Sequence, residues 1–150
     1  GQYRNVIPNF VYWSMQKKSL PLTGTGDETR DFTYVLDLVQ GLIKAGYYED
    51  AIGQAFNLAS GKETKIKDMI SMVNNATGNA TPITEFPPRK WDTKKRLLAS
   101  IDLAGKLIDY KPIISFDEGL KSNFDWFKTN WEKIQKAADF PIGMSSAVRK

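Results

Sequence analysis

The 150-residue chain has no cysteine and no histidine. The first absence excludes a disulfide framework and a thiolate metal site, and fits a reducing compartment. The second removes the commonest metal ligand and the usual general base near neutral pH. Any chemistry must therefore come from carboxylates, lysines, tyrosines or hydroxyls. Long apolar runs are also missing: no stretch approaches a membrane span, and no signal peptide precedes Gly1, so the expectation is a cytoplasmic protein with no membrane partner. Internal repeats and low-complexity linkers are absent, so nothing argues for a second domain. Charge of one sign is not concentrated either. The net +4 is modest and its lysines and arginines are interleaved with acids, which gives no nucleic-acid footprint. The two glycosylation-type triplets, at Asn75 and Asn79, are read as chance in a run of small polar residues.

At 41% hydrophobic and 12% aromatic residues, the chain can bury one proper core. Val6, Ile7, Phe10, Val11 and Met15 recur at helical spacing, with Pro8 in the first turn where its missing N–H is harmless. Leu20 to Thr23 reads as extended, followed by the turn Gly24-Thr25-Gly26-Asp27, whose glycines can take positive φ. Asp31 to Val35 alternates as a strand, and Leu36 to Ala45 reads as a helix closed by Gly46. Ala55 to Ala59 reads as a short buried strand. Thr64 is expected to cap a helix bearing Ile66, Met69, Ile70 and Val73 that stops near Gly78. An edge strand near Ile83 to Phe86 ends at Pro87-Pro88. A helix near Ile101 to Ile108 follows. Ser115 and Glu118 form a capping box for a last helix carrying Leu120, Phe124, Phe127, Trp131 and Ile134. The pattern is α+β, helix-rich with a few short strands, over residues 1–138, with a loose tail at 139–150.

Three groups of residues could bind an anion. Arg30 leaves a glycine turn and precedes a strand, so its planar guanidinium, suited to a diphosphate, starts from a defined backbone position. Spacing alone favours a local ion pair with Asp27, Glu28 or Asp31. Arg89, Asp92 and Arg96 cluster in FPPRKWDTKKR, where arginines could neutralise phosphate while the aspartate accepts from ribose hydroxyls. A solvated basic loop reads the same. Asn5 and Val6 open the first helix, whose free N–H groups and partial positive charge favour anions. Asn5 as a plain helix cap is an equal local reading.

The string LPLTGTGDETRDFTYVLDL, from Leu20 to Leu38, resembles "LPIYGDGSQTRDFIYVDDLV" of the extended short-chain dehydrogenase/reductases, the NAD-dependent nucleotide-sugar epimerases and dehydratases. Four further segments are similar in the same order: Asn5-Val6-Ile7-Pro8 to "NVIP", FNLASG to "FNIGSG", the arginine loop to "PRRxGD", and SFDEGL to "sLeeGL". In such enzymes the arginines of the TRDF and PRRxGD segments hold the substrate's diphosphate, the acid lies near the ribose, and the strand before the glycine turn pairs the base. The resemblance therefore implies a substrate site of Asn5, Val6, Pro21, Leu22, Thr23, Arg30, Arg89, Asp92 and Arg96. Leu22 as a core residue would look the same. Two departures weaken the register of Arg96: Trp91 stands at the family's glycine, and three extra residues separate Asp92 from SIDLAGKL.

The chain has neither the family's glycine-rich dinucleotide turn nor a Tyr-x-x-x-Lys pair. The resemblance thus implies the C-terminal, substrate-binding part of a Rossmann-type enzyme, inactive alone, with no catalytic residue here. NAD is expected on an upstream half and not on this chain. The partners implied are a UDP- or dTDP-sugar, that Rossmann half, and a second copy in a homodimer of the intact enzyme. The chemistry implied is transient hydride transfer at the sugar ring, followed by inversion, elimination or decarboxylation. A free-standing nucleotide-sugar-binding module is the competing reading. A small interaction domain that docks an acidic partner is a third. Removing the Rossmann half is expected to uncover Val39, Leu42, Ile43 and Phe56.

Overall fold

A computed structural model describes residues 5–88, 90 and 93–137. The expected loose tail at 139–150 lies outside the described residues, as do Arg89 and Asp92.

Helix α1 (Val6–Met15) forms where the apolar spacing requires, with Pro8 in its first turn. It buries Phe10, Val11, Tyr12 and Trp13. Strand β1 (Pro21–Thr23) follows, then the glycine turn and the two-residue strand β2 (Thr29–Arg30). Helix α2 (Val35–Tyr47) and a 3₁₀ turn (Glu49–Ala51) lead through irregular chain to β3 (Thr64–Lys65) and α3 (Ile66–Thr77). After β4 (Thr84–Phe86) come α4 (Asp102–Ile108), α5 (Phe116–Thr129) and α6 (Trp131–Ala137). Two small sheets result. β1 lies parallel to β4, with Leu22 opposite Glu85, and β2 lies antiparallel to β3, with Arg30 opposite Thr64.

Two apolar cores hold these elements. The first joins α1, α3 and α5 through Phe10, Val11, Trp13, Met69, Ile70, Val73, Leu120 and Phe127, with Leu20 and Leu22 beneath them. The second is smaller: Ala51, Ala104, Ile108 and Tyr110, covered by Phe56 and Leu58. Gly41 lets α2 approach that core closely, because a Cβ there would sit 2.7 Å from Leu58 Cδ2 and 2.8 Å from Tyr110 Cε2. Two carboxylates tie distant segments together. Asp31 accepts from the amides of Ser60 (2.9 Å) and Gly61 (3.1 Å), and buried Asp37 accepts from those of Ile113 (3.2 Å) and Ile114 (3.1 Å). Each supplies acceptors to backbone donors that have no ladder partner.

The other face of α2 is uncovered. Val35, Leu36, Val39, Leu42 and Ile43 recur at helical spacing, and Leu42 and Ile43 are 58% and 68% exposed. Three of the four side chains expected to be uncovered, Val39, Leu42 and Ile43, are so. Phe56 is half-buried against the second core.

Several expected elements shift. The strand expected at Asp31 to Val35 is observed two residues earlier, at Thr29–Arg30, because the Asp31 side chain turns to Ser60 and Gly61 and Val35 already begins α2. Gly46 does not close that helix: its φ is not positive, so it sits within the helix, which runs to Tyr47. Ala55 to Ala59 alternates but finds no strand partner among the described residues, so its apolar side chains pack without a ladder. Thr64 belongs to β3 and does not cap α3. The unpaired amides of Ile66 and Lys67 donate instead to the carbonyls of Glu28 and Gly26, both at 3.0 Å. The Ser115–Glu118 capping box is present. The apolar stripe after it is split, because the chain leaves α5 at Asn130 and places Trp131 and Ile134 on α6. Asn79 is buried and its amide donates to the carbonyl of Lys18, so one of the two triplets is a structural residue.

Candidate functional site

β2 is the centre of the candidate site because three segments meet on it. Thr29 and Arg30 pair with β3 on one side. On the other side, Thr29 N–H donates to the Lys95 carbonyl (2.9 Å) and Leu97 N–H to the Thr29 carbonyl (3.2 Å), giving a parallel bridge between Thr29 and Arg96. The glycine turn delivers the chain into this position. Gly24 and Gly26 take φ of 86° and 79°, which side-chain-bearing residues adopt only at a cost. The Glu28 carboxylate accepts from Gly26 N–H at 2.9 Å and fixes the turn.

Arg30 is half-buried, and its Nη1 donates to the carbonyls of Thr29 (2.8 Å) and Lys94 (3.1 Å). The acids that spacing offers it have other partners. Asp27 pairs with Lys67 at 2.7 Å and Lys65 at 3.4 Å, Glu28 serves the turn, and Asp31 serves Ser60 and Gly61. The Lys67 ammonium, foremost, and Lys65 hold the Asp27 carboxyl below its ordinary value, while Asp27 raises Lys67.

Arg96 is engaged in a way the sequence did not suggest. Its Nε and Nη2 donate to the two oxygens of Glu63, both at 2.8 Å, and Thr29 Oγ1 donates to the same carboxylate at 2.6 Å. The Arg96 guanidinium, then the Thr29 hydroxyl, pull the Glu63 carboxyl down to about 2. Glu63 is thus a member of this cluster that the sequence reading missed. Its signal was a lone acid among Lys62, Lys65 and Lys67.

The remaining candidates fall as follows. Asn5 is the exposed N-cap of α1, yet its side chain makes no capping hydrogen bond; Val6 is half-buried against the first core. Pro21 and Thr23 are half-buried on β1, and Leu22 between them is a core residue, 7% exposed. Arg89 and Asp92, two further candidates, lie outside the described residues. Arg30 and Arg96 are brought to one strand edge. Among the described residues no group of three or more acids could hold a metal ion, and no helix is long and apolar enough to cross a membrane.

Comparison with known proteins decides the family. The family described as NAD dependent epimerase/dehydratase matches residues 1–59 of the chain. The chain belongs to that family. A UDP-glucuronate 4-epimerase of Thermodesulfobacterium geofontis is 32% identical over 134 residues, which cover 86% of this chain and 39% of that protein. The structure of an epimerase from Methanothermobacter thermautotrophicus matches with a TM-score of 0.90 and 51% identity, over 92% of this chain and 41% of that one. The Bordetella bronchiseptica enzyme WbmF, solved with NAD+ and UDP, matches with a TM-score of 0.76 and 36% identity, over 89% of this chain and 39% of that one. The chain thus spans about two fifths of the length of these relatives.

These matches correct one expectation. NAD was to be left wholly to an upstream half, but the NAD dependent family matches this epimerase-family chain over its own residues 1–59, and the enzyme WbmF, solved with NADH and with NAD+, superposes on 89% of it. NAD is therefore not assigned away from this chain. The match at residues 1–59 likewise gives no ground for placing the chain in the C-terminal half of its relatives. The turn at Gly24 and Gly26 does not fit a dinucleotide pyrophosphate cradle, because it opens into strand β2 and not into a helix N-terminus.

Proposed function

We propose that this chain is a sugar-nucleotide-binding portion of an NAD-dependent nucleotide-sugar epimerase or decarboxylase, taking a UDP- or dTDP-sugar as part of a longer enzyme. The observation that carries the reading is the setting of Arg30. Its guanidinium starts from a two-residue strand pinned on both edges and rests on backbone carbonyls. An arginine delivered this way is oriented before an anion arrives, so less side-chain freedom is lost on binding. The relatives' names support the ligand class, since one is a UDP-glucuronate epimerase and another was solved with UDP.

The exposed face of α2 supports the second half of the reading. Contiguous apolar surface of this kind marks an interaction site. With about three fifths of its relatives' length not represented in the chain, the rest of the enzyme is the natural cover. Equilibrium titration of UDP into the intact enzyme tests the site. Arg30→Lys keeps the charge and loses the fork, and is expected to weaken binding by ~1–3 kcal/mol, the scale of hydrogen bonds to charged groups. Unchanged affinity would remove the reading.

A further inference from the structure

A guanidinium has two edges that can each meet a pair of oxygens: one formed by Nε and Nη2, the other by Nη1 and Nη2. The Glu63 carboxylate fills the first edge of Arg96, with both contacts at 2.8 Å. The second edge is turned away from Glu63, on a side chain that is 67% exposed. The same carboxylate accepts the Thr29 hydroxyl, and Thr29 is the residue whose N–H and C=O bind Lys95 and Leu97. One residue back, the Lys94 carbonyl accepts from Arg30 Nη1. Glu63 therefore holds, from one point, both the arginine side chain and the strand edge against which Arg30 rests.

We propose that Glu63 is a positioning residue of the sugar-nucleotide site: it fixes the 94–97 segment on β2 and presents the outer edge of Arg96 to the diphosphate bound at Arg30. This rests on the proposed function above. Glu63 itself does not touch the ligand. The proposal has a sign that a simple surface ion pair lacks. A carboxylate near a diphosphate repels it, so if Glu63 merely occupied Arg96, its removal would release a cation, delete a negative charge and tighten anion binding. If Glu63 positions Arg96, its removal must weaken binding even though the site becomes more positive.

The test is UDP titration of the intact enzyme carrying Glu63→Gln, Arg96→Ala or both, with amide hydrogen exchange at Thr29 and Leu97 followed without ligand. Glu63→Gln is expected to weaken UDP binding about three- to fivefold, the range of a well-formed exposed pair. It should also speed exchange at both amides and cost nothing further in the Arg96→Ala background. UDP binding that is unchanged or tighter in Glu63→Gln, while Arg30→Lys still weakens it, overturns the role of Glu63 alone. Failure of the parent enzyme to bind UDP, or indifference to Arg30→Lys, overturns the sugar-nucleotide site and this role with it. Should Glu63→Gln not fold, Glu63→Asp, one methylene short of both arginine nitrogens, is expected to show the same loss, and parent-like affinity there overturns the proposal.

Discussion

Replacing Gly41 by alanine sets two effects against each other. The position is helical and its φ is not in the left-handed region, so helix propensity alone favours alanine by about 1 kcal/mol. The new methyl would lie 2.7 and 2.9 Å from the two δ carbons of Leu58 and 2.8 Å from Tyr110 Cε2, all closer than real contacts. Leu58 is half-buried and can yield. Tyr110 cannot move so easily, because it is buried and its hydroxyl donates to the Ala59 carbonyl at 3.0 Å. Overpacking of this kind costs about 1–3 kcal/mol, so after the propensity gain the net expectation is a loss of up to about 2 kcal/mol. For a protein of this size that lowers Tm by up to about 8 °C. Thermal and urea unfolding followed by circular dichroism measure it. In a Leu58→Ala background part of the clash is gone, so the double variant should lose less than the sum of the singles. A Gly41→Ala variant more stable than the parent, or strict additivity with Leu58→Ala, would refute the claim that α2 is set on the second core by close approach at Gly41.

Three further outcomes follow from other contacts. Ser115→Ala removes the hydroxyl that accepts from Glu118 N–H, and should cost about 1 kcal/mol in urea unfolding. The Glu63 carboxyl titrates at about 2 in the fold against an ordinary 4.5, so its contribution is fully present above 4.5 and is lost as pH falls toward 2. Unfolding midpoints measured over that window should fall less steeply in Glu63→Gln than in the parent. The 150-residue chain on its own should self-associate through α2 in sedimentation velocity, and Leu42→Lys or Ile43→Lys should reduce this with the helical circular dichroism unchanged, since both side chains are exposed.

What the sequence made legible was whatever local chemistry dictates. Pro8 in a first turn, glycines at positive φ, Gly78 closing α3 in the left-handed conformation and the Ser115–Glu118 box each depend on residues within one turn of chain. The misses need a partner far away in sequence. Asp31 leaves the strand pattern to bind amides about thirty residues on, and Ala55 to Ala59 has strand-like alternation without a neighbour to complete a ladder. The site divides along the same line. Arg30 was legible as an arginine delivered by a glycine turn, whereas its seat on the Lys94 carbonyl depends on a loop 64 residues distant. Glu63 was missed for that reason: its partners Thr29 and Arg96 come from both directions along the chain. Leu22 shows the opposite limit, since a β-strand leucine reads alike whether it faces a base or, as here, a core.

The most direct test of the sugar-nucleotide site compares UDP affinity, at two salt concentrations, for Arg30→Lys, Arg89→Lys, Lys94→Gln and Lys95→Gln in the intact enzyme. A built diphosphate clamp loses ~1–3 kcal/mol at each arginine, even though the charge is kept, and much less at the lysine side chains, with weak salt dependence. Similar losses at the two lysines as at the arginines, falling together as salt rises, would mean a diffuse basic surface acting through screened charge, and would contradict the account.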